Sequence, residues 1–179
     1  MHFVDELLPG TWLVRLKRLD DARGSFVKTY ARSVFESVPG LPAFDFREEF
    51  YSYSHRDVVR GMHFQLPPHD HMKLVYCAHG SAQDVLLDLR RGPGYGCVAT
   101  VKLDAAEPSL VLVPRGVAHG FRSLEDHTLM VYKTSTEHAP QYDAGVHWAS
   151  FGFDWACNSP VMSARDAKHP AFNEFDSPF

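Results

Sequence analysis

Short apolar and alternating runs set the first constraint on this chain, because they fit strands and little else. "TWLVRL", "SFVKTY", "LVYC", "DVLLDLR", "VATVKL", "LVLVP" and "TLMVYKT" are each bounded by Gly, Pro, Asp or Ser, at the spacing of sandwiches and barrels. Only "ARSVFESV" in the first half and "SARDAKHPAF" near the end read as short helices, and the βαβ alternation of a parallel sheet is missing. The sequence therefore predicts an all-β, cupin-like jelly-roll, a double-sheet barrel around a central cavity. Its β core is expected over about 46–135 and a short helical tail over about 156–179. A chain of 179 residues, 45% of them hydrophobic, builds one ordinary core over 1–179 without disulfides or metals.

A net charge of −4 with no basic block argues against nucleic acid or an anionic membrane as partner, so an anionic ligand has to be small and locally bound. Cys77, Cys97 and Cys157 are odd in number and lack C-x-x-C spacing, which fits reduced thiols, buried as small hydrophobes. The opening "MHFVDELLPG" has no basic n-region, and no apolar stretch is long enough to span a bilayer. The expected location is the cytoplasm.

Chemistry-bearing residues concentrate in "RGMHFQLPPHDHMKLVYC", residues 60–77. Side chains alternate along a strand, so His63 and Gln65 share one face, Lys73 points with Val75 and Cys77, and Tyr132 points with Thr134. Arg60 joins the His63 face only if Gly61 marks a bulge. A cupin metal site needs an H-x-H pair followed by a Glu, then a later P-x-G-x-x-H. The later motif is present as "PRGVAH", ending at His119. In the earlier one Lys73 stands at the Glu position and Pro67 at the first His, which leaves His69 and His119. A protonated lysine donates only, and it repels a divalent cation. Spacing also allows the trio His63, His69 and His71, although "PPHDH" reads as a polar loop whose histidines are solvated. Taken alone, His63 equally fits a hydrogen-bonded core histidine. No metal or other cofactor is expected.

Several segments in order resemble one family. "RGSF" (23–26), "VVRGMHFQLPP" (58–68), "KLVYCAHGSAQDVLLDLRRGPGYG" (73–96), "VPRGVAHGF" (113–121), "VYKTS" (131–135) and "SARDA" (163–167) together resemble the dTDP-4-dehydrorhamnose 3,5-epimerase family. The resemblance implies a metal-free jelly-roll epimerase, a homodimer, that acts on a nucleotide-diphosphate 4-keto-6-deoxy sugar in deoxysugar and surface-polysaccharide biosynthesis. It implies His63 as base, Asp166 as its carboxylate partner, Lys73 near the keto oxygen and Tyr132 as the acid on the opposite face. It also implies Arg23 and Arg60 on the diphosphate, Phe26 and Gln65 among the substrate contacts, and a supporting role for His119.

These residue types suit the reaction. Inverting a carbon beside a ketone means removing a weakly acidic proton, holding an enolate and returning a proton to the other face. A neutral imidazole accepts the proton, and a carboxylate fixes its tautomer. An ammonium in a water-poor barrel stabilises the growing oxyanion. A phenol of pKa about 10 stays protonated at neutral pH and donates. The chain departs from the family where substrate would be read: Glu48 and Phe50 replace a Gln and an Asn, Glu137 and His138 replace two aromatics, and Lys28 replaces an acid. Near a diphosphate an ionised Glu48 would repel. These departures predict another nucleotide, CDP or GDP, and inversion at C3 alone, with His138 as a further substrate contact. A 3,4-ketoisomerase, a metal cupin and a non-catalytic sugar-binding barrel stand as alternatives.

Overall fold

A computed structural model describes residues 2–37 and 43–179. In chain order its strands are β1 (His2–Leu8), β2 (Thr11–Arg15), β3 (Arg18–Asp21), β4 (Gly24–Val27), β5 (Glu48–Ser54), β6 (Val59–Gln65) and β7 (Lys73–His79). They continue with β8 (Ser81–Asp88), β9 (Val98–Asp104), β10 (Ser109–Val113), β11 (Val117–Ser123), β12 (Thr128–Thr134) and β13 (Asp143–Gly145). One sheet runs β1-β2-β10-β7-β12-β5 and the other β13-β6-β11-β8-β9, while β3 and β4 form a separate hairpin. The two sheets make the expected all-β jelly-roll barrel.

Strand alternation explains both the interior and the outer layers. Val75, Cys77, Ala82, Leu86, Val111, Val113, Phe121 and Met130 point between the sheets and form one buried cluster. Their alternates do not face water. Leu74, Leu110 and Leu112 turn outward against Phe35 and Phe44, and Val59, Phe64, Val85 and Leu87 turn outward against Val146 and Trp155. Strands covered on both faces read as continuous apolar runs, which is why "LVLVP" and "DVLLDLR" barely alternate. At about 25 cal/mol per Å² of apolar surface removed from water, two outer layers add substantially to what the barrel interior supplies.

The barrel is wider in sequence than 46–135. β1 and β2 precede that span and β13 follows it. The segment "TWLVRL" supplies β2, which pairs with β10 of the same chain, Leu110 opposite Val14 and Leu112 opposite Trp12. With β7 on its other side, β10 has a second edge of backbone donors and acceptors to satisfy, and β2 satisfies it.

The expected helices are shorter than their segments. Within "ARSVFESV" the helix α1 covers Arg32–Glu36 and buries Phe35, and Val38 lies outside the described residues. The tail over 156–179 is irregular apart from 3₁₀ turns at Asp166–Lys168 and Phe172–Glu174. Pro160, Pro170 and Pro178 interrupt it, each lacking the backbone donor a helix needs. Its contribution is packing: Phe175 and Phe179 meet the edge of Phe64, with ring centroids 5.1 and 5.9 Å away.

One irregularity matters for the site. Between β6 and β11, His63 pairs with His119 and Arg60 with Phe121, so three steps on β6 oppose two on β11. This is a β-bulge at Gly61 and Met62. Gly61 has φ +135°, and a Cβ there would lie 2.5 Å from the Gly120 Cα. The position requires glycine.

Candidate active site

The polar end of the barrel interior encloses a cavity of about 320 Å³. The bulge lets Arg60, His63 and Gln65 of β6 all line it, meeting Glu48, Phe50 and Ser52 of β5, Lys73 of β7, His119 of β11 and Tyr132 of β12. Of the sequence-predicted residues, the structure brings together His63, Lys73, Tyr132, Asp166, Glu48, Arg60, Gln65, His119 and His138. Asp166, on the 3₁₀ turn, lies just behind the cavity wall and is reached through His63.

His63 Nε2 lies 3.0 Å from Asp166 Oδ1. Asp166 Oδ2 accepts the Gly61 N–H at 3.2 Å, so the bulge also steadies the carboxylate. Burial pushes the Asp166 carboxyl up, but His63, the Gly61 N–H and Ser163 outweigh it and hold the group below the usual carboxylate range. Burial pushes His63 down, opposed by Asp166 and reinforced by Lys73 and Arg165. A neutral imidazole beside an ionised carboxylate is the state a general base needs.

Lys73 is buried and donates from Nζ to the His63 carbonyl at 3.0 Å. Burial pulls its pKa to about 8, against the carboxylates of Asp143 and Asp84. The ammonium therefore persists at neutral pH in a place where its field is weakly screened. Tyr132 lies under Phe50, with ring centroids 4.9 Å apart and an interplanar angle of 17°. Its hydroxyl shares a 3.0 Å hydrogen bond with Ser52. Burial pushes the phenol above its ordinary range, so it is a proton donor at neutral pH.

His119 donates or accepts at 2.6 Å with the fully buried Asp84, and its ring sits edge-on to Tyr132 at 6.1 Å. Gln65 lines the cavity, yet its amide is committed to protein. Oε1 accepts the Ala139 N–H at 2.6 Å, and Nε2 donates to the His69 carbonyl at 2.8 Å and to His71 Nδ1 at 3.0 Å. It clamps the 66–72 loop to the 136–139 loop. Glu48 accepts the His138 N–H at 2.7 Å at the mouth of the cavity. Arg60 donates to Ser54 Oγ and the Tyr53 carbonyl and keeps other donors for a ligand.

Two expectations are not met within one chain. Arg23 and Phe26 sit on the β3–β4 hairpin, outside the cavity lining; Phe26 is 60% exposed and Arg23 pairs with Asp21 at 2.5 Å. The histidine trio also separates. His69 stacks on Tyr142 at 4.4 Å. His71, on the loop beside the pocket mouth, lines the cavity, with burial, Lys73, Arg115 and His138 driving its pKa to about 2.

The close set among the described residues is instead His63, Asp166 and His169, with one ligand-type atom from each lying within 4.8 Å. Arg165 already supplies a cation there, its Nη2 2.9 Å from His63 Nε2 and its Nε 3.4 Å from Asp166 Oδ1. A site that holds a guanidinium between its donors, near the Lys73 ammonium, does not suit a divalent ion.

Sequence reasoning missed Asp84, Asp143 and Arg165. Asp84 had a signal: it is an acid in the apolar strand "AQDVLLD" with the parity of inward Ala82 and Leu86. Arg165 stands beside Asp166 in "SARDA" but was not separated from it. Asp143 reaches the site only because β13 pairs with β6, and nothing local announces that.

Comparison with known proteins agrees with this geometry. The family model for dTDP-4-dehydrorhamnose 3,5-epimerase matches residues 5–174. A Shigella flexneri dTDP-4-dehydrorhamnose 3,5-epimerase is 31% identical over 98% of this chain and 98% of its own. A Streptomyces niveus dTDP-4-dehydrorhamnose 3-epimerase is 33% identical, covering 89% of this chain and 78% of its own. The crystal structure of the Bacillus anthracis 3,5-epimerase with TDP and PPi bound superposes with a TM-score of 0.90 at 30% identity, covering 95% of this chain and 98% of that one.

Proposed function

The chain belongs to the dTDP-4-dehydrorhamnose 3,5-epimerase family, and from that premise we propose the following division of labour in an epimerase acting on a nucleotide-linked 4-keto-6-deoxy sugar. His63 removes the proton from the carbon beside the ketone, and the electron pair moves onto the ketone oxygen. Lys73 holds the resulting enolate. Tyr132 returns a proton to the opposite face. Asp166 keeps His63 oriented and stabilises the imidazolium, and Arg60 takes the diphosphate. The observation that carries this reading is the His63–Asp166 pair at 3.0 Å, with Lys73 and Tyr132 on the walls of the same cavity.

The mouth supports a narrower reading, inversion at C3 alone. Tyr132 is pinned by Phe50 and Ser52, and Phe50 occupies a position where the family resemblance leads one to expect a small amide. Glu48 at the same mouth favours a nucleotide other than dTDP. Incubation with dTDP-, CDP- and GDP-4-keto-6-deoxyhexoses in D₂O, followed by NMR, tests both points. Deuterium at C3 alone supports the narrower reading, and incorporation at C3 and C5 with the dTDP sugar alone removes it. Product identity separates epimerase from 3,4-ketoisomerase.

We further propose a cytoplasmic homodimer. Free Cys77, Cys97 and Cys157 fit a reducing compartment, and among the described residues no helix is long and apolar enough to cross a membrane. Arg23 and Phe26 act on substrate only if their hairpin reaches the cavity of a second copy.

A further inference from the structure

Two groups that cannot be served together contact the same ring nitrogen. Arg165 Nη2 lies 2.9 Å from His63 Nε2, and Asp166 Oδ1 lies 3.0 Å from it. A guanidinium only donates and an ionised carboxylate only accepts. Nε2 therefore binds Arg165 when it carries a lone pair and Asp166 when it carries hydrogen. The first state puts the proton of the neutral ring on Nδ1. The second puts it on Nε2 and leaves Nδ1 with the lone pair that takes up substrate protons.

The two competitors differ in freedom. The Asp166 side chain is 5% exposed and fixed by the Gly61 N–H, whereas the Arg165 side chain is 53% exposed, lines the cavity and is tethered to Asp143 on β13 and, through Nε at 3.4 Å, to Asp166. A guanidinium matches phosphate oxygens two at a time. An anion entering the cavity competes directly with His63 for this cation.

We infer that Arg165 is a positioning residue that holds His63 in the tautomer unable to pair with Asp166 until an anionic group of the substrate draws the guanidinium away. The substrate's diphosphate would thus arm the base, and a sugar without it would meet an unarmed one. The inference rests on the proposed function for the identity of that anion. The exchange involves no net change in protonation: one proton leaves Nδ1 to solvent and one arrives at Nε2. The other groups facing His63 are Lys73 from β7, His119 from β11, Asp143 from β13, Arg60 on its own strand, and His169, whose ring lies 5.7 Å away. Arg165 is the one among them whose contact with Nε2 excludes that of Asp166.

The tautomer is read without turnover. In ¹⁵N-labelled protein, long-range ¹H–¹⁵N spectra give the protonated nitrogen of His63, assigned by its loss in His63→Asn. The expected result is hydrogen on Nδ1 in free wild type, on Nε2 after adding whichever of dTDP, CDP and GDP binds most tightly, and on Nε2 without nucleotide in Arg165→Met. The same tautomer in free wild type and free Arg165→Met would overturn the inference, as would a wild-type tautomer that the tightest-binding of the three nucleotides, at saturating concentration, leaves unmoved. In kinetics, Arg165→Met should move the acid limb of kcat/KM to higher pH while the limb of kcat moves less, and Arg165→Lys should lie between. A purely structural role would lower the rate and leave both limbs in place. Wild type that exchanges no sugar proton would count against the proposed function, while the tautomer measurement would still decide the role of Arg165.

Discussion

His63 carries the heaviest demand of any side chain, and its replacement gives the sharpest prediction. His63→Asn should lower deuterium exchange by roughly 10²- to 10⁴-fold, the usual worth of a positioned general base, with an unchanged far-UV CD spectrum. The pH dependence follows from two groups pushed by burial. His63 lies below its ordinary 6.5 and must be neutral, so the acid limb of kcat/KM should fall below pH 6.5. Lys73 lies at about 8 and must be charged, so activity should decline as pH rises through about 8, and Lys73→Met should remove that alkaline limb along with most of the rate. His71 gives a stability counterpart. Its folded pKa of about 2 lies below the unfolded value, so between about 2 and 6.5 the unfolded chain binds the extra proton and stability is lost as pH falls. The slope is about 1.4 kcal/mol per pH unit below 6.5. Urea titrations at pH 7 and 5.5 should show His71→Gln losing less stability on acidification than wild type.

Among the elements, β6 joins sequence pattern to chemistry. Its parity placed His63 with Gln65 and made the inclusion of Arg60 conditional on Gly61, and the bulge supplies that condition. Gly61→Ala should cost about 3 kcal/mol or more, since it adds both a strained φ and a Cβ contact to backbone, and a thermal melt would show it. The same parity argument found the inward faces of β7 and β12 because alternation is a local property. It failed for the tail, where packing rather than periodicity sets the path: Pro160, Pro170 and Pro178 leave only 3₁₀ turns in what read as a helical segment. It also failed for Asp143, since a three-residue strand has too few residues to show a period. Gln65 was legible as a cavity residue but not as a clamp, because the loop it ties to 66–72 lies some seventy positions away.

For the whole molecule, the double-sheet barrel was legible in the rhythm of strands and turns, whereas its true extent was not, because β1 and β2 join the sheet through the distant β10. What one chain leaves incomplete is also a property of the whole. Arg23 and Phe26 are presented away from their own cavity, so a mixture of Arg23→Ala and His63→Asn subunits should recover up to about a quarter to a half of wild-type exchange through mixed dimers that carry one intact site. Light scattering should give twice the chain mass. A monomer of full activity would end the dimer proposal.

The extra residue in β6 acts as a frame setting for the catalytic face. With it, Arg60 and His63, the proposed phosphate anchor and base, stand three positions apart and still look the same way. Straightening the strand with all its residues kept would force a choice: with His63 kept inward, the guanidinium of Arg60 would turn into the aromatic layer around Phe64 and Trp155, and with Arg60 kept inward, the imidazole would. Loss of Gly61 itself would instead leave Arg60 and His63 two positions apart on one face, and would remove the N–H that Asp166 accepts. The bulge and the three-position spacing of Arg60 and His63 are thus one feature: neither keeps both side chains in the cavity without the other.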